Sequence, residues 1–381
     1  MRSKLLPEAF ACRIDIGKSV FHVVAVNRGG SVIKRAKFAR ETLQSFFDLA
    51  PKTAIGMEAC PGSQWLARKL IGIAHDARTI PARFVKPYVT SNKTDTVDAA
   101  TIAEAVTRPT MRFVQARTPA QVDLQALPRI RDRLVGERTG LMNQARAFCI
   151  ECGLALRVGA GGVHADMRRH LGNLDNDLTQ TVRDLLTDLL DDLAYIENRV
   201  NAVTCRIEAI AKEDETISRL LTIPGIGALG ATALVAAAGD GLQLRKARDV
   251  AAWLGLVPAE HSTGGKQTLL GISKRGSRYV RRLILHGARS CFLHLNRESH
   301  ALGRWQNALE ARTHRNKAVI ALATELTRIV WAILTQPGTV ICGQKAQLSR
   351  LILHTTQPIS SGVLFGDACI TCQPTDDQTV D

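Results

Sequence analysis

Four acidic residues in the first hundred positions have neighbours and spacing that suit metal chemistry. Asp15 lies within the apolar run ACRIDI, Glu58 lies near the end of TAIGMEA, and Asp95 and Asp98 stand three apart in KTDTVDAA. Carboxylates held close together repel one another unless a cation lies among them, and carboxylate oxygen is a preferred ligand of Mg²⁺. Two such ions could activate an attacking oxygen and stabilise a leaving oxygen in phosphodiester cleavage. We therefore interpret the four acids as ligands of Mg²⁺ or Mn²⁺.

Asp95 and Asp98 alone would not carry this interpretation, because a D-x-x-D pair is more often a solvated helix face. Asp15 is harder to explain in that way, since an unpaired charge within an apolar strand is costly to bury. The combination of Asp15 with Glu58, at the end of another apolar run, favours a shared metal site.

A candidate nucleophile lies in the C-terminal half, in the stretch EHSTGGKQ. Ser262 precedes a second hydroxyl residue, Thr263, and two glycines. A serine beside glycines is often only a turn residue. Here the loop leads into a basic helix, which makes a hydroxyl nucleophile near a scissile phosphate a reasonable hypothesis.

Two further motifs could bind a nucleic-acid backbone. In LLTIPGIGALG, Gly225 and Gly227 separate two helical patterns and would let backbone N–H groups approach a phosphate, as in a helix-hairpin-helix element. The alternative is a tight turn in a plain helical core. Basic residues further on, most of them at helical spacing, would make binding sensitive to salt. The expected phosphate ligands are Lys266, Lys274, Arg275, Arg278, Arg281 and Arg282.

The elements that must hold the acids follow from hydrophobic patterns. The runs at 11–16, 20–26 and SVIKRAKF predict an antiparallel meander, because the sequences between them favour turns. A helix, a fourth strand at 53–59, a helix at 63–74, a short fifth strand and a helix from about Asp95 complete the order β-β-β-α-β-α-β-α. This order is typical of the ribonuclease H-like α/β fold. In that fold the first and fourth strands are neighbours, so we expect the four acids to converge.

The middle of the chain is predicted to be helical. The pattern runs from Thr118 to about Cys152, with Pro128 as a kink or false start. Apolar residues from Val182 to Ile210 then recur at alternating spacings of four and three. This seam predicts a coiled coil, formed by a hairpin within the chain or against a partner subunit. The predicted divisions are a catalytic domain (9–115), a helical coiled-coil region (116–215), an α-helical C-terminal domain (216–340) and a tail of unknown role (341–381).

Composition narrows the class of partner. Lys and Arg number 50 against 35 Asp and Glu, and the formal charge of +15 favours a polyanion. Nine scattered cysteines and the lack of an apolar leader segment predict a protein of the reducing cytoplasm. No apolar run reaches the roughly 18 residues that a membrane span needs. Two C-x-x-C pairs, at 149–152 and 369–372, could hold zinc in principle, although buried cysteines are ordinary in helices.

In combination, the motifs resemble those of one family of bacterial insertion-sequence transposases. The motifs are IDIGK, GMEACPGS, NKTDTVDA, IPGIG, GLVP, and HSTGGK followed by GISKRG. Members of that family join a RuvC-like DEDD domain to a C-terminal domain with a catalytic serine, and they are bridge-RNA-guided recombinases. The resemblance extends from about residue 11 to residue 335 and is specific only in combination, because each motif alone is weak.

The resemblance implies DNA transposition through a phosphoserine, with an active centre completed across a dimer interface. The implied partners are double-stranded DNA at the element ends and target, a structured guide RNA, and further copies of the chain in a homodimer or tetramer. Counting back from ISK assigns the nucleophile to Ser262, whereas counting forward from Pro258 reaches Thr263. We prefer Ser262, whose primary hydroxyl is less hindered. The family's metal ligands would be matched by Asp15, Glu58, Asp95 and Asp98.

Two other functions stay open. A metal-dependent nuclease of the junction-resolving type would use the same acids with water as nucleophile. A non-catalytic nucleic-acid scaffold would need only the coiled coil and the basic helices. The HGAR sequence at 286–289 matches the H-x-x-R box of tyrosine recombinases, but no tyrosine follows it, which removes that mechanism.

Overall fold

The computed structural model describes residues 9–81, 113–298 and 301–339, together with positions 84, 106 and 111. The chain forms two compact units that divide after Ala120. Asp95, Asp98 and the predicted tail lie outside the described residues.

A five-stranded mixed sheet forms the centre of the N-terminal unit. Its order is β3-β2-β1-β4-β5, with β1, β2 and β3 antiparallel and with β1, β4 and β5 parallel. The predicted meander and the adjacency of the first and fourth strands are confirmed. The strands are β1 (Ala11–Ile16), β2 (Val20–Val26), β3 (Val32–Ala39), β4 (Ala54–Glu58) and β5 (Asp76–Ile80).

Two helices, α1 (Arg40–Leu49) and α2 (Ser63–Gly72), pack on one face of this sheet. Ile14 and Met57 point toward them and join the same apolar core. Successive strand residues point to opposite faces, so Asp15 lies on the other face. The apolar alternation of β1 therefore determines on which face the candidate acid stands.

As far as the structure describes it, the remainder of the chain is helical apart from one small hairpin. The hairpin pairs β6 (Pro258–Glu260) with β7 (Leu269–Ile272) in antiparallel fashion. The helices are α3 (Pro119–Glu151), α4 (Ala160–Gly172), α5 (Gln180–Glu213), α6 (Glu215–Leu221), α7 (Ala228–Ala238), α8 (Ala247–Leu254), α9 (Arg278–His294), α10 (Ala301–Glu310) and α11 (Arg315–Thr335).

The long helices α3 and α5 lie side by side in opposite directions. Met142, late in α3, shares a core with Leu193 of α5, whereas Arg131 Nε, earlier in α3, donates to Thr204 Oγ1 at 2.8 Å. Pro128 lies inside α3 and does not end it. Every second position of the predicted seam is fully buried, but a coiled coil with a partner subunit stays a prediction. The fully buried seam residues are Leu186, Leu193, Val200 and Ile207.

A second apolar core surrounds α11. Leu322 and Leu326 are buried there with Leu254 of α8 and Ile284 of α9. Within the described part of the chain, α11 is the helix whose length and apolar composition would allow a membrane crossing, but 61% of its apolar window is buried in the protein. Its composition is therefore explained by core packing.

Candidate functional site

Two of the four predicted acids lie side by side on the sheet. The parallel register of β1 and β4 pairs Ile14 with Met57, so that the following position brings Asp15 beside Glu58. Neighbouring strands are about 4.8 Å apart, and residues in register point to the same face. Asp15 is exposed and Glu58 is half-buried. The structure thus brings together two acids that are 43 positions apart in the sequence.

The charges of both carboxylates also act on the thiol of Cys60. Partial burial raises the pKa of Cys60, and the negative charges of Glu58 and then Asp15 raise it further. A hydrogen bond from the backbone N–H of Ser63 acts in the opposite direction. Both carboxylates therefore act on the same group, as expected if they face a common point.

The donor set fits a hard divalent cation, although the described residues supply only part of it. Two adjacent carboxylates carry like charges that a cation would neutralise, and oxygen ligands suit Mg²⁺ or Mn²⁺. Within 9–81, 113–298 and 301–339, no cluster of three or more His, Cys, Asp or Glu side chains could hold an ion. Asp95 and Asp98, which lie outside the described residues, are the predicted further ligands.

Basic side chains continue the row of residues that contains the acids. His22 of β2 pairs with Asp15, and Lys37 of β3 pairs with His22, so all three point to the same face. Arg35 lies two residues before Lys37 on that face. Sequence analysis did not single out these residues, although the period-two alternation in KRAKF would have indicated them. The charges of Arg35 and Lys37 would favour a phosphate backbone beside the acids.

Ser262 lies just beyond β6 and is exposed. Its Oγ donates to Oε1 of Glu260 at 2.5 Å, and Nε2 of Gln267 donates to the same oxygen at 3.4 Å. Sequence analysis missed Glu260 and Gln267. The signal was the spacing E-x-S, since residues two apart on a strand share a face.

The expected irregular loop is instead an extension of the hairpin. His261 N donates to Thr268 O at 2.9 Å, and Lys266 N donates to Thr263 O at 3.0 Å. Gly264 and Gly265 lie between Thr263 and Lys266. Their φ angles are 56° and 77°. Consecutive positive φ values are typical of the tight turns that match strand twist, which explains the glycine pair.

The base of the hairpin is held by backbone contact with the end of α8. Lys274 N donates to Gly255 O at 3.1 Å. A Cβ on Gly255 would lie 2.1 Å from Arg275 N, and a Cβ on Gly276 would lie 2.0 Å from Trp253 O. Neither glycine can therefore carry a side chain without moving the backbone.

Arg281 supports this base and is not available to phosphate. It is only 8% exposed, and its Nη1 donates to Leu254 O at 2.9 Å and to Arg275 O at 2.6 Å. Its guanidinium fastens the loop before α9 to the end of α8, which argues against the prediction that Arg281 binds nucleic acid.

The other predicted phosphate ligands lie at the surface. Arg282 is exposed but forms an ion pair with Asp132 and stacks over the Tyr279 ring at 5.3 Å. Lys274 has a left-handed backbone with φ of 53°. The exposed residues among these predicted ligands are Lys266, Lys274, Arg275, Arg278 and Arg282.

The IPGIG turn joins α6 to α7 and packs against α9. A Cβ on Gly225 would lie 2.4 Å from Gly287 O, and a Cβ on Gly287 would lie 2.2 Å from Gly225 O. This reciprocal contact explains Gly225 by packing and also explains the glycine of HGAR. Gly227 precedes α7 as its N-cap, without a side-chain hydrogen bond. Phosphate binding by Gly225 and Gly227 stays a prediction.

The described C-x-x-C pair does not resemble a metal site. Cys149 is buried and Cys152 is half-buried, and both are free thiols. Burial is the larger cause, and the charge of Cys152 the smaller cause, of a raised pKa of Cys149. A raised pKa disfavours the thiolate form, which is the form that binds metals. Cys369 and Cys372 lie outside the described residues.

Two families of known proteins match this chain, one in its N-terminal part and one in its C-terminal part. A family described as transposases of the IS116/IS110/IS902 family matches residues 217–304, and the DEDD transposase domain of IS110 elements matches residues 12–150. The matched segments include Ser262 in the first case and all four predicted acids in the second.

Three relatives are similar over nearly their whole length. The transposase for insertion sequence element IS1328 of Yersinia enterocolitica is 38% identical, over 88% of this chain and 99% of its own. A probable family 20 transposase of Pseudomonas aeruginosa is 40% identical, over 85% and 96%. The transposase for IS1111A of Coxiella burnetii is 38% identical, over 87% and 91%. The chain therefore belongs to the IS110/IS116 family of insertion-sequence transposases.

Proposed function

We propose that this transposase exchanges DNA strands through a phosphoserine formed at Ser262 and a divalent-metal site that includes Asp15 and Glu58. The main observation in support is that Asp15 and Glu58 directly follow the paired residues Ile14 and Met57 on neighbouring strands, in a segment that matches a DEDD transposase domain. The exposed hydroxyl of Ser262, presented on a hairpin, supplies the candidate nucleophile.

In this proposal Asp95 and Asp98 complete the set of metal ligands. Bound Mg²⁺ or Mn²⁺ would neutralise charge on the phosphate and its leaving oxygen. Asp15 and Glu58 hold their place without large rearrangement, because the register of two paired strands determines their separation. The two remaining acids must come from the segment that carries NKTDTVDA.

The covalent step balances without a further reactant. Oγ of Ser262 loses its proton to water and forms a bond to phosphorus, while the bond between phosphorus and a deoxyribose oxygen breaks. The leaving oxygen takes up a proton and becomes a hydroxyl. Because the phosphodiester energy is kept in the phosphoserine, a DNA hydroxyl can attack it and rejoin strands in a new order.

Exposed basic residues would hold the nucleic acids. Around the hairpin and α9 these are Lys266, Lys274, Arg275, Arg278 and Arg282, and on the sheet Arg35 and Lys37. The charge of +15 is compatible with both DNA and a structured guide RNA as partners. A homodimer or tetramer acting in the bacterial cytoplasm completes the proposal.

The test is to trap the covalent intermediate. Full-length protein is incubated with labelled element-end DNA, target DNA, Mg²⁺ and the RNA transcribed beside the gene, and protein–DNA adducts are separated under denaturing conditions. We expect wild type and Thr263→Ala to form the adduct and Ser262→Ala to form none. An adduct in Ser262→Ala would exclude Ser262 as nucleophile.

A second outcome separates transposition from hydrolysis. If Ser262→Ala cut DNA at the wild-type rate while Asp15→Asn did not, the enzyme would be a metal-dependent nuclease that uses water. Omission of the RNA tests guidance in the same assay, because a guided enzyme would then lose its target preference.

A further inference from the structure

We infer that Glu260 is a positioning residue that holds the Ser262 hydroxyl in one orientation and so makes Ser262, rather than Thr263, the nucleophile. This inference rests on the proposed phosphoserine mechanism and adds a residue to it. Neither the family motifs nor the basic patch pointed to Glu260.

The contact between the two side chains is short and direct. Ser262 Oγ donates to Glu260 Oε1 at 2.5 Å, within the range of hydroxyl–carboxylate hydrogen bonds. Such bonds are about twice as strong as those between neutral groups. An exposed serine would otherwise distribute among three staggered rotamers. The carboxylate therefore selects one of them.

The hairpin geometry distinguishes Ser262 from its neighbour. Side chains alternate between the two faces of an extended strand, so residues 260 and 262 share a face and residue 263 points away. Thr263 belongs to the turn, where its carbonyl accepts from Lys266 N at 3.0 Å. Of the two adjacent hydroxyls, Ser262 is the one whose orientation is fixed by the carboxylate.

The carboxylate is itself held from the opposite side of the hairpin. Gln267 Nε2 donates to Glu260 Oε1 at 3.4 Å, and the backbone bond from His261 N to Thr268 O keeps the two sides in register. Glu260 thus lies between the nucleophile and a second anchor, which transfers the rigidity of the paired backbone to the Ser262 hydroxyl.

In this inference Glu260 has a positioning role and not a general-base role. In the proposed step the Oγ proton goes to water, the P–Oγ bond forms, the bond from phosphorus to deoxyribose oxygen breaks, and that oxygen is protonated by water. Glu260 neither takes up nor gives up a proton in this step.

Substitution of Glu260 separates these roles. The rate of adduct formation is measured in single turnovers from pH 6 to 9 for full-length wild type, Glu260→Ala, Glu260→Gln and Thr263→Ala. Because small misplacements of reacting groups cost up to about 10²-fold, we expect Glu260→Ala to be at least about tenfold slower. Glu260→Gln keeps an acceptor oxygen and should stay within about threefold of wild type, with an unchanged pH profile. Thr263→Ala should match wild type.

Several results would overturn the inference. One is a wild-type rate in Glu260→Ala. Another is a rate in Glu260→Gln as low as in Glu260→Ala, which would mean that the charge or basicity of the carboxylate is needed. A third is a lower unfolding temperature of Glu260→Ala in proportion to its lower rate, which would show that Glu260 only stabilises the hairpin.

The Ser262→Ala variant distinguishes failure of the proposed phosphoserine mechanism from failure of the role of Glu260. If Ser262→Ala still forms an adduct, the proposed mechanism fails and the role of Glu260 fails with it. If Ser262→Ala is inactive and Glu260→Ala is as fast as wild type, only the role of Glu260 is lost. Peptide mapping of the adduct then locates the phosphorus on Ser262 or elsewhere.

Discussion

The acid pair and the serine hairpin hold their functional groups by opposite physical means. Asp15 and Glu58 follow Ile14 and Met57, which are 1% and 0% exposed in the core of a five-stranded sheet. Ser262 lies in a stretch, residues 261–270, in which every residue is exposed. Burial fixes the first site, whereas turn geometry and an anchored base fix the second.

The difference fits the role that the proposed mechanism gives to each group. Metal ligands need accurate mutual placement, which neighbouring strands within a packed sheet provide. A nucleophile must reach a bulky substrate, which requires exposure. A two-stranded hairpin alone is only marginally stable. Its orientation therefore depends on the contact of Gly255 and Gly276 with neighbouring backbone.

The largest expected effect is on the acid pair. Asp15→Asn and Glu58→Gln should each lower strand cleavage by about 10³-fold or more, because each removes a charge from the proposed metal site. Folding should not suffer, since the substitution also removes repulsion between two adjacent carboxylates. Cleavage and thermal unfolding are measured on the same preparations.

Asp48→Asn is the matched control for this prediction. Asp48 is exposed on α1 of the same unit, so its neutralisation should leave cleavage unchanged. Equal losses in Asp48→Asn and Asp15→Asn would mean that general charge, and not a specific site, controls the reaction. A large drop in the unfolding temperature of Asp15→Asn would instead indicate a structural carboxylate.

A smaller loss of activity is expected from substitution of Gly276 at the hairpin base, because the substitution destabilises the fold. A Cβ on Gly276 would lie 2.0 Å from Trp253 O, and its φ is 71°. Gly276→Ala should therefore reduce the free energy of unfolding by about 2–4 kcal/mol. Urea unfolding followed by tryptophan fluorescence measures it, since Trp253 lies at the contact.

Gly265→Ala provides the contrast at the tip of the hairpin. Gly265 has φ of 77° but open space around its Cβ position, so only backbone strain of about 1 kcal/mol is expected. Because the tip is exposed, this strain should act on the hairpin and not on the core. If Gly265→Ala and Gly276→Ala lowered the free energy of unfolding equally, the base of the hairpin would be no more firmly anchored than its tip.

The sheet and its acids were largely predictable because their signals are local. β-branched runs predicted β1 to β4 within one or two residues, and the element order made β1 and β4 neighbours. Asp15 and Glu58 each follow buried strand residues, so their convergence could be inferred. The signal is reliable because a shift of one residue would move every apolar side chain to the wrong face.

The surroundings of Ser262 were not predictable in the same way. β6 has only three residues, including a proline. Its register depends on a turn whose sequence, STGGK, predicts a loop. The burial of Arg281 was hidden by the regular spacing of basic residues in α9. A signal was nevertheless present, because Arg281 stands three residues before Ile284 and seven before Ala288, both of which are in the core.

The two arginines of α9 test whether support for the hairpin and phosphate binding are separate. Arg281→Met should destabilise the fold by about 1–3 kcal/mol, since the buried carbonyl of Leu254 and the partly buried carbonyl of Arg275 lose their donor. Arg278→Met should leave stability within about 0.5 kcal/mol. It should lower DNA affinity a few-fold and reduce the salt slope by about 0.9. DNA affinity is measured from binding isotherms at several salt concentrations, and stability from urea unfolding. If both substitutions changed only affinity or only stability, the two roles would not be separate.

The smallest effect on activity is expected at Asp166 of α4, which belongs to neither of these regions. Hydrogen bonds from the side chain and backbone N–H of Arg157, aided by the charges of Arg157 and Arg169, lower the pKa of Asp166 to about 2 against the effect of burial. A carboxyl whose folded pKa lies below its unfolded value of about 3.9 stabilises the fold above that value. This contribution is lost as the pH falls from about 4 toward 2.

Asp166→Asn should therefore show cleavage like that of wild type at neutral pH, with a lower free energy of unfolding. The stability difference from wild type should shrink as the pH falls from 5 to 2.5. Chemical denaturation across that range measures it. A difference that stayed constant with pH would show that Asp166 acts through packing and not through its charge. Loss of cleavage at neutral pH, with the fold intact, would mean that the helical region takes part in the reaction and that function is not confined to the sheet and the hairpin.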